Sequence, residues 1–127
     1  MRWGIVMMAA ALLLSGCALR SESWGGKVTC LAGRDCQIKM GRAYEFINTH
    51  ALVEPKVANS TSIRTRNTRD ESIFLEYNVH RIAVDQQNDV IEINVMCGRW
   101  GGCMGDPHVL ADALLMCVNG KLDCDVQ

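Results

Sequence analysis

Residues 73–97 read IFLEYNVHRIAVDQQNDVIEINVMC, and this stretch decides the fold. Apolar and polar side chains alternate over residues 73–79 and again over residues 91–97, as they do in strands that bury one face. The polar residues 86–89 between the two runs are typical of a turn. The two runs are therefore predicted to form an antiparallel hairpin.

The alternation is interrupted between the two runs. The apolar residues up to Val79 occupy odd-numbered positions, whereas Ile82 and Val84 occupy even-numbered positions. A change of parity within one strand is typical of an extra, unpaired residue. The sequence therefore predicts a bulge or bend near His80 and Arg81.

A weaker alternation precedes this hairpin. Residues 57–68 have Ile63 at an inward position, a pattern that predicts a third strand. Ser62, Arg64 and Arg66 take the outward positions. Arg64 and Arg66 are candidate contacts for an acidic partner, for anionic lipid head groups or for a glycan. The simpler interpretation is a soluble outer face or a protected sheet edge.

Residues with helical spacing flank the strands on both sides. The first helix is predicted to follow Asp35 as its N-terminal cap and to end before Pro55, which lacks a backbone donor. Its buried face comprises Cys36, Met40, Ala43, Tyr44, Ile47 and Ala51. The second helix is predicted to begin at Asp106-Pro107 and to end at Asn119-Gly120. The order helix, three strands, helix predicts a small two-layer α+β domain, with both helices on one face of a three-stranded antiparallel sheet.

The N-terminus has the pattern of an export signal. Arg2 is followed by about 12 apolar residues over positions 3–14, fewer than the ~20 that span a bilayer as a helix. Leu14-Ser15-Gly16-Cys17 then resembles the lipobox of bacterial lipoproteins, in which cleavage precedes a cysteine whose thiol receives a diacylglycerol. The resemblance implies a signal peptide at residues 1–16 and lipidation of Cys17, with acyl chains such as palmitate.

The lipoprotein resemblance also predicts where the chain resides. Two or three acyl chains give durable membrane anchoring. Ala18, in place of an aspartate, favours the outer membrane over retention at the inner membrane, with the domain facing the periplasm. Residues 17–27 contain several serines and glycines and are predicted to be a lipidated, flexible tether, and residues 28–127 to form the single domain. The competing interpretation is an ordinary secretory signal with a chance cysteine nearby.

Six cysteines remain after Cys17 is assigned to lipidation, an even number that suits an exported protein. They are Cys30, Cys36, Cys97, Cys103, Cys117 and Cys124. Their spacing favours pairing of each cysteine with its near neighbour, which closes short loops worth roughly 2–3 kcal/mol each. The competing pattern joins Cys30 or Cys36 to the C-terminal helix. Because no Cys-x-x-Cys occurs and the expected compartment is oxidising, structural disulfides are favoured over redox or zinc chemistry.

The glycine-rich segment 98–105 precedes the second helix. It superficially resembles a phosphate cradle, but it lacks the lysine and hydroxyl of a P-loop, and Asp106 would repel an anion. A turn closed by a disulfide, with Trp100 exposed beside Arg99, is the preferred interpretation. Since tryptophan and arginine dominate interface hot spots, Arg99 and Trp100 are candidate partner-binding residues.

Charge and residue spacing favour a non-enzymatic function. Arg2 is the only charged residue of positions 1–16, which leaves 12 of the 13 basic and all 14 acidic side chains, a balance that does not indicate nucleic-acid binding. His50, His80 and His108 occur singly, so no metal site is predicted. Because there is no Gly-x-Ser-x-Gly turn and the cysteines are expected to be oxidised, no catalytic residue and no cofactor are expected.

The expected function follows from the protein class. The mature domain resembles small cysteine-containing envelope lipoproteins of Gram-negative bacteria, which implies a protein-binding accessory or assembly factor of a surface or secretion system. The alternative is a small-ligand or metal-binding periplasmic lipoprotein that uses the sheet face or the loop between Cys97 and Cys103. A deep pocket with convergent polar groups would favour this alternative, whereas a shallow apolar patch around Trp100 would favour protein binding.

Overall fold

Five strands of the described residues form one antiparallel sheet, and two helices pack on one of its faces. The computed structural model describes residues 22–65, 74–98 and 102–125. Along the chain the elements are β1 Glu22–Leu31, α1 Arg34–His50, β2 Val57–Ala58, β3 Ser62–Arg64, β4 Glu76–Ala83, β5 Asn88–Cys97 and α2 Pro107–Val118. The strand order across the sheet is β1-β5-β4-β3-β2. The predicted α+β class is confirmed, whereas the predicted number of three strands is wrong.

The predicted hairpin is formed by β4 and β5, and it contains no bulge. Pairing with β5 runs without interruption along the whole of β4. The apolar alternation is interrupted because two inward positions are held by an ion pair, in which Arg81 Nε lies 2.7 Å from Asp89 Oδ2. Ile82 therefore points outward and is half-exposed. The predicted bulge near His80 and Arg81 is wrong, since a polar pair and not an extra residue interrupts the apolar pattern.

The edge strand β1 was expected to be part of a tether. It pairs with β5 along all ten of its residues, so the prediction of a flexible tether over residues 17–27 is wrong from Glu22 onward. The domain accordingly begins before residue 28, the predicted boundary. Residues 17–21 lie outside the described residues, and their role as a tether stays a prediction.

Two glycines in β1 resemble linker residues but are required by close packing. A Cβ atom at Gly25 would lie 1.9 Å from the carbonyl oxygen of Ile93 on the paired strand. A Cβ atom at Gly26 would lie 3.1 Å from Cδ1 of Leu115 on α2. Glycine in a strand often marks such a close approach. These residues therefore let β5 and α2 pack tightly against the edge strand.

The described part of the predicted third strand, residues 57–65 of 57–68, contains two short strands joined by a tight turn. Asn59 Oδ1 accepts hydrogen bonds from the backbone N–H groups of Thr61 and Ser62, both at 2.9 Å. This side-chain bonding reverses the chain between β2 and β3. Ile63 of β3 is buried, as predicted.

α1 begins before the predicted cap. Its N-terminal cap is Gly33, with φ of 99°, so Asp35 lies within the first turn and the prediction of Asp35 as the cap is wrong. The carboxylate of Asp35 instead accepts a hydrogen bond from the N–H of Leu31 at 2.8 Å and lies 3.3 Å from Lys39 Nζ. The Leu31 bond, reinforced by Lys39, holds the pKa of the Asp35 carboxyl below its ordinary value.

α2 begins as predicted. Asp106 Oδ1 accepts the N–H of His108 at 2.9 Å, and Pro107 occupies the first helical position. At the other end, Arg42 of α1 donates from Nη1 to the carbonyl oxygen of Val118 at 3.1 Å, which satisfies a carbonyl that the helix leaves without a partner. Among the described residues, no helix has the length and apolar content needed to cross a bilayer.

The inner sheet face and both helices share one hydrophobic core. Its largest buried side chains include Tyr77, Phe46, Ile47, Ile91 and Leu114. In the part of the chain that the structure describes, disulfides join Cys30 to Cys36, Cys97 to Cys103 and Cys117 to Cys124. This is the pairing of near neighbours that the spacing favours. Each bond fixes the end of a strand or helix to the adjoining segment.

Candidate binding groove

Of the four residues predicted to bind a partner, the structure describes Arg64. Arg64 lies on β3 at an outer-face position, opposite Asn78 of β4. Cys17, Arg66, Arg99 and Trp100 lie outside the described residues. Their lipidation and binding roles stay predictions.

A groove of about 480 Å³ lies between α1 and the hairpin of β2 and β3. α1 supplies Gln37, Met40, Gly41 and Tyr44, and the hairpin supplies Ala58, Asn59, Ser60 and Ile63. None of these side chains carries a charge. A volume of this size is within the range of roughly 300–1,000 Å³ that is typical of ligand sites. We call this feature the α1–β2 groove.

The floor of the α1–β2 groove consists of core residues. Ile63 and Met40 are both buried in the hydrophobic core. No atom lies within 4 Å of the position that a Cβ at Gly41 would occupy, which leaves open space beside the helix. Tyr44, which was predicted on the buried face of α1, is instead 44% exposed. An exposed tyrosine offers a partner an apolar ring and one polar hydroxyl.

β2 forms one wall of the α1–β2 groove and is also the last strand of the sheet. Within the described ranges, β2 pairs with β3 and no strand pairs with its other side. An edge strand presents backbone N–H and C=O groups that a further strand can pair with. The adjoining turn is held by Asn59, whose Oδ1 also accepts the Thr61 hydroxyl at 3.0 Å. The wall is therefore preorganised, which lowers the entropy cost of binding.

The groove was not anticipated from the sequence, although two signals for it are present. Gly41 interrupts the surface of an otherwise regular helix, and an isolated glycine within a helical pattern often has a packing or functional reason. The Asn59-Ser60 pair is a turn signal inside the predicted third strand. Their meeting across the groove depends on how α1 packs on the sheet, which local patterns do not specify.

The outer face of the sheet carries polar side chains that the strand register brings together. Ser62 Oγ lies 2.9 Å from His80 Nδ1, and Lys27 Nζ lies 3.4 Å from Glu92 Oε1. His80 and Glu92 are opposite one another on β4 and β5. The alternation along β4 places His80 on the outer face, and the pairing register brings Ser62 beside it. The outer face is thus a hydrogen-bonded polar surface beside β3.

A second, small cavity of about 30 Å³ lies beside Tyr77. It is lined by His50, Ala51, Leu52, Leu75, Tyr77, Met104 and Leu110. The Tyr77 side chain is buried, and its hydroxyl has no hydrogen-bond partner among the described residues. Burial raises the pKa of Tyr77 to about 12, so the phenol is neutral at physiological pH. The cavity has room for a water molecule but not for an organic ligand.

The three histidines each have a separate structural neighbour. His50 stacks on Phe46, and His108 stacks on Trp24 with ring centroids 4.3 Å apart. His80 is the partner of Ser62. In the described parts of the chain, no group of three or more His, Cys, Asp or Glu side chains is arranged to hold a metal ion.

Comparisons with known proteins do not assign the chain to a family. No family model, curated protein or solved structure matches it, so the α1–β2 groove and the sequence pattern are the basis for a functional proposal.

Proposed function

We propose that the protein is an envelope lipoprotein, anchored at Cys17, that binds an extended segment of another envelope protein in the α1–β2 groove. The observation that supports this proposal is an apolar groove beside a helix that coincides with an unpaired sheet edge. In recognition by strand addition, a peptide backbone pairs with an edge strand while alternate side chains enter adjoining pockets. The α1–β2 groove offers both elements of this mode.

The neutral lining defines the chemistry of the bound segment. A side chain that enters the groove would contact Ile63, Met40 and the ring of Tyr44, so we expect an aliphatic or aromatic residue there. Because β2 has two residues, backbone pairing is short, and apolar burial supplies most of the affinity. The expected partner segment is therefore extended, uncharged and apolar at alternate positions.

The proposed location rests on the resemblance of residues 14–17 to a lipobox. Acylated Cys17 would hold the domain on the outer membrane, facing the periplasm, and structural disulfides suit that oxidising compartment. A membrane-anchored binding module increases the local concentration of any partner held on the same surface. We therefore propose a non-enzymatic accessory or assembly role in a surface or secretion system, with Arg64, Arg66, Arg99 and Trp100 as further candidate contacts.

Small-ligand binding in the same groove is the second candidate function. Its volume of about 480 Å³ is compatible with a small molecule. Small-molecule sites usually enclose most of the ligand surface, however, whereas Tyr44 is nearly half exposed at this groove. The open geometry favours a chain segment over an enclosed ligand.

Filling the groove tests the proposal. A Cβ at Gly41 has no atom within 4 Å, so the side chain of Gly41→Leu should extend into the groove. The substitution should also stabilise α1 by about 1 kcal/mol because leucine is a better helix former than glycine. Peptides selected from a random displayed library on the native protein should lose at least tenfold in affinity for this variant, which corresponds to about 1.4 kcal/mol. Glu45→Leu is the matched control, since it adds the same side chain to an exposed position of α1 that does not line the groove.

The two outcomes separate the candidate functions. Peptides that bind the native protein and both variants equally would exclude the groove as the site of strand addition. The small-ligand function would be favoured if apolar fragment-sized compounds bound the native protein but not Gly41→Leu, and if no peptide showed this difference. Hydrogen exchange at the Ala58 amide should slow when a peptide pairs with β2.

A further inference from the structure

Exposed apolar side chains are grouped at the end of the domain where β1 begins. Leu52 is 63% exposed, Val109 61%, Met104 56% and Trp24 44%. A group of large apolar side chains left in contact with water is typical of a surface that meets a membrane or another protein. We call this surface the proximal end.

Contacts between elements bring the four residues to the same end. Trp24 stacks on His108 in the first turn of α2, and Val109 is the next residue of that turn. Met104 precedes α2 and lines the same small cavity as Leu52, which follows α1. The proximal end is therefore formed by the beginnings of β1 and α2 together with the end of α1.

We infer that the proximal end rests on the lipid bilayer, an inference that depends on the proposed lipidation of Cys17. Residues 18–21 alone separate Cys17 from the start of β1 at Glu22, a span of at most about 18 Å when fully extended. β1 itself has ten residues and is roughly 30 Å long. The opposite end of β1 consequently cannot face the bilayer that holds Cys17.

The opposite end of the sheet shows why the tether length matters. It also exposes large apolar side chains, namely Leu31, Ile82 and Val84. Leu31 ends β1, and the other two lie where β4 leads into the turn before β5. These residues are about a full strand length from Glu22, beyond the reach of the tether. Exposed apolar side chains occur at both ends, so they do not by themselves identify the membrane-facing end. The length of the tether identifies it, because the tether reaches the proximal end alone.

The chemistry of the proximal end suits the membrane interface. Tryptophan is enriched where head groups meet water, with its ring at head-group level. Asp106 and Asp112 both contact His108, the residue on which Trp24 stacks, so attraction to anionic lipid does not drive this contact. Apolar insertion should therefore occur with zwitterionic lipid as well.

This orientation leaves the α1–β2 groove open to the periplasm. The turn between β2 and β3 adjoins Arg81, whose N–H donates to the carbonyl oxygen of Thr61 at 2.8 Å. Arg81 lies toward the end of β4 that is far from Glu22. The tether and the apolar contact would thus hold the groove on the side from which a partner segment arrives.

Fluorescence quenching by lipid tests the inference. The sequence contains three tryptophans, of which Trp3 lies in the predicted signal peptide. After removal of that peptide, the lipidated Trp100→Phe variant contains Trp24 as its single tryptophan. In phosphatidylcholine vesicles with brominated acyl chains, Trp24 should lose most of the emission it has in unbrominated vesicles. The matched control carries Trp24→Phe, Trp100→Phe and Val84→Trp, which moves the fluorophore to the opposite end, and its emission should be unchanged.

Mass spectrometry of the same samples separates failure of the inference from failure of the anchoring. Unquenched Trp24 in protein that carries acyl chains on Cys17 would overturn the membrane contact and leave the anchor in place. Absence of acyl chains would overturn both. Equal quenching in the two variants would indicate a domain that lies on its side and would also contradict the inferred orientation.

Discussion

The two halves of the sheet, β1 with β5 and β4 with β3 and β2, are stabilised in different ways. β1, β5, α2 and the start of α1 carry four of the six described cysteines, and the other two, Cys103 and Cys124, lie in the segments before and after α2. We call these elements the disulfide half. β2, β3 and β4 contain no cysteine and end in a strand of two residues, and we call them the groove half. Covalent reinforcement therefore lies in the disulfide half, whereas one wall of the candidate site depends on non-covalent packing.

A few side chains hold the groove half to the core. Ile63 is buried between the sheet and α1. Thr65 is also buried, and its Oγ1 accepts the N–H of Tyr77 at 2.8 Å, while its own N–H donates to the Tyr77 carbonyl oxygen at 3.0 Å. These contacts replace the covalent links of the other half. The following substitutions should separate the two kinds of reinforcement.

The largest effect is expected from Gly25→Ala in the disulfide half. Its Cβ would lie 1.9 Å from the carbonyl oxygen of Ile93, so β1 must move away from β5 even while the disulfides are intact. Chemical denaturation should show a loss of about 3 kcal/mol or more in the free energy of unfolding. Gly98→Ala, where no atom lies within 4 Å of the new Cβ, should change stability by less than about 0.5 kcal/mol. Equal stability of the two variants would contradict the close packing of β1.

Ile63→Ala should have the next largest effect and should act on the groove half. Removing a buried isoleucine side chain costs about 2–5 kcal/mol, and here no disulfide limits the loosening of β3. Peptide affinity should fall together with the free energy of unfolding because Ile63 forms the floor of the groove. Val84→Ala is the control, since Val84 is exposed. A loss of less than about 1 kcal/mol at Ile63 would mean that the groove half contributes little to the core.

The double substitution Cys117→Ala, Cys124→Ala should reduce stability without affecting binding. Opening this short loop should lower the free energy of unfolding by roughly 2–3 kcal/mol. The bond lies at the end of α2 and neither cysteine lines the groove, so peptide affinity measured below the unfolding transition should be unchanged. Loss of binding in this folded variant would show that the two halves are coupled.

The smallest effect concerns alkaline pH and Tyr77, a buried residue of β4 in the groove half. Because the pKa of Tyr77 is raised from 10.0 to about 12 by burial, the unfolded chain releases this proton first as pH rises above 10. Stability from this group is therefore complete below pH 10 and should fall by about 1 kcal/mol by pH 11. Tyr77→Phe should abolish this part of the pH dependence, whereas Tyr44→Phe at the exposed position should retain it. Identical pH profiles for native protein and Tyr77→Phe would contradict the assignment.

Elements with strong local patterns were predicted well from the sequence. The period-two runs within residues 73–97 form the β4–β5 hairpin, because each turns one face to a common core. Asp106-Pro107 begins α2, since capping is a bond between residues two or three positions apart. The cysteine spacing also favoured the observed neighbour pairs.

Features that depend on contacts between distant elements were not predicted. Gly25 and Gly26 resemble linker residues in the sequence. They are needed because β5 and α2 pack closely against β1, and these two elements lie far along the chain. Tyr44 fits the helical stripe of α1 but is 44% exposed at the α1–β2 groove, because the packing of α1 on the sheet leaves this position open. Arg81 and Asp89 look like a break in the strand because their pairing depends on register. The α1–β2 groove combines such effects, and only its constituent turn and glycine are visible in the sequence.

The order of the disulfides bears on how the chain matures. Each bond joins one cysteine to the next along the described chain, at separations of six or seven residues. Closing so small a loop costs little chain entropy. On the proposed export route, an oxidant that meets the thiols one after another as the polypeptide emerges would therefore generate the native set directly. Biogenesis of this domain should need a thiol oxidant but no disulfide isomerase.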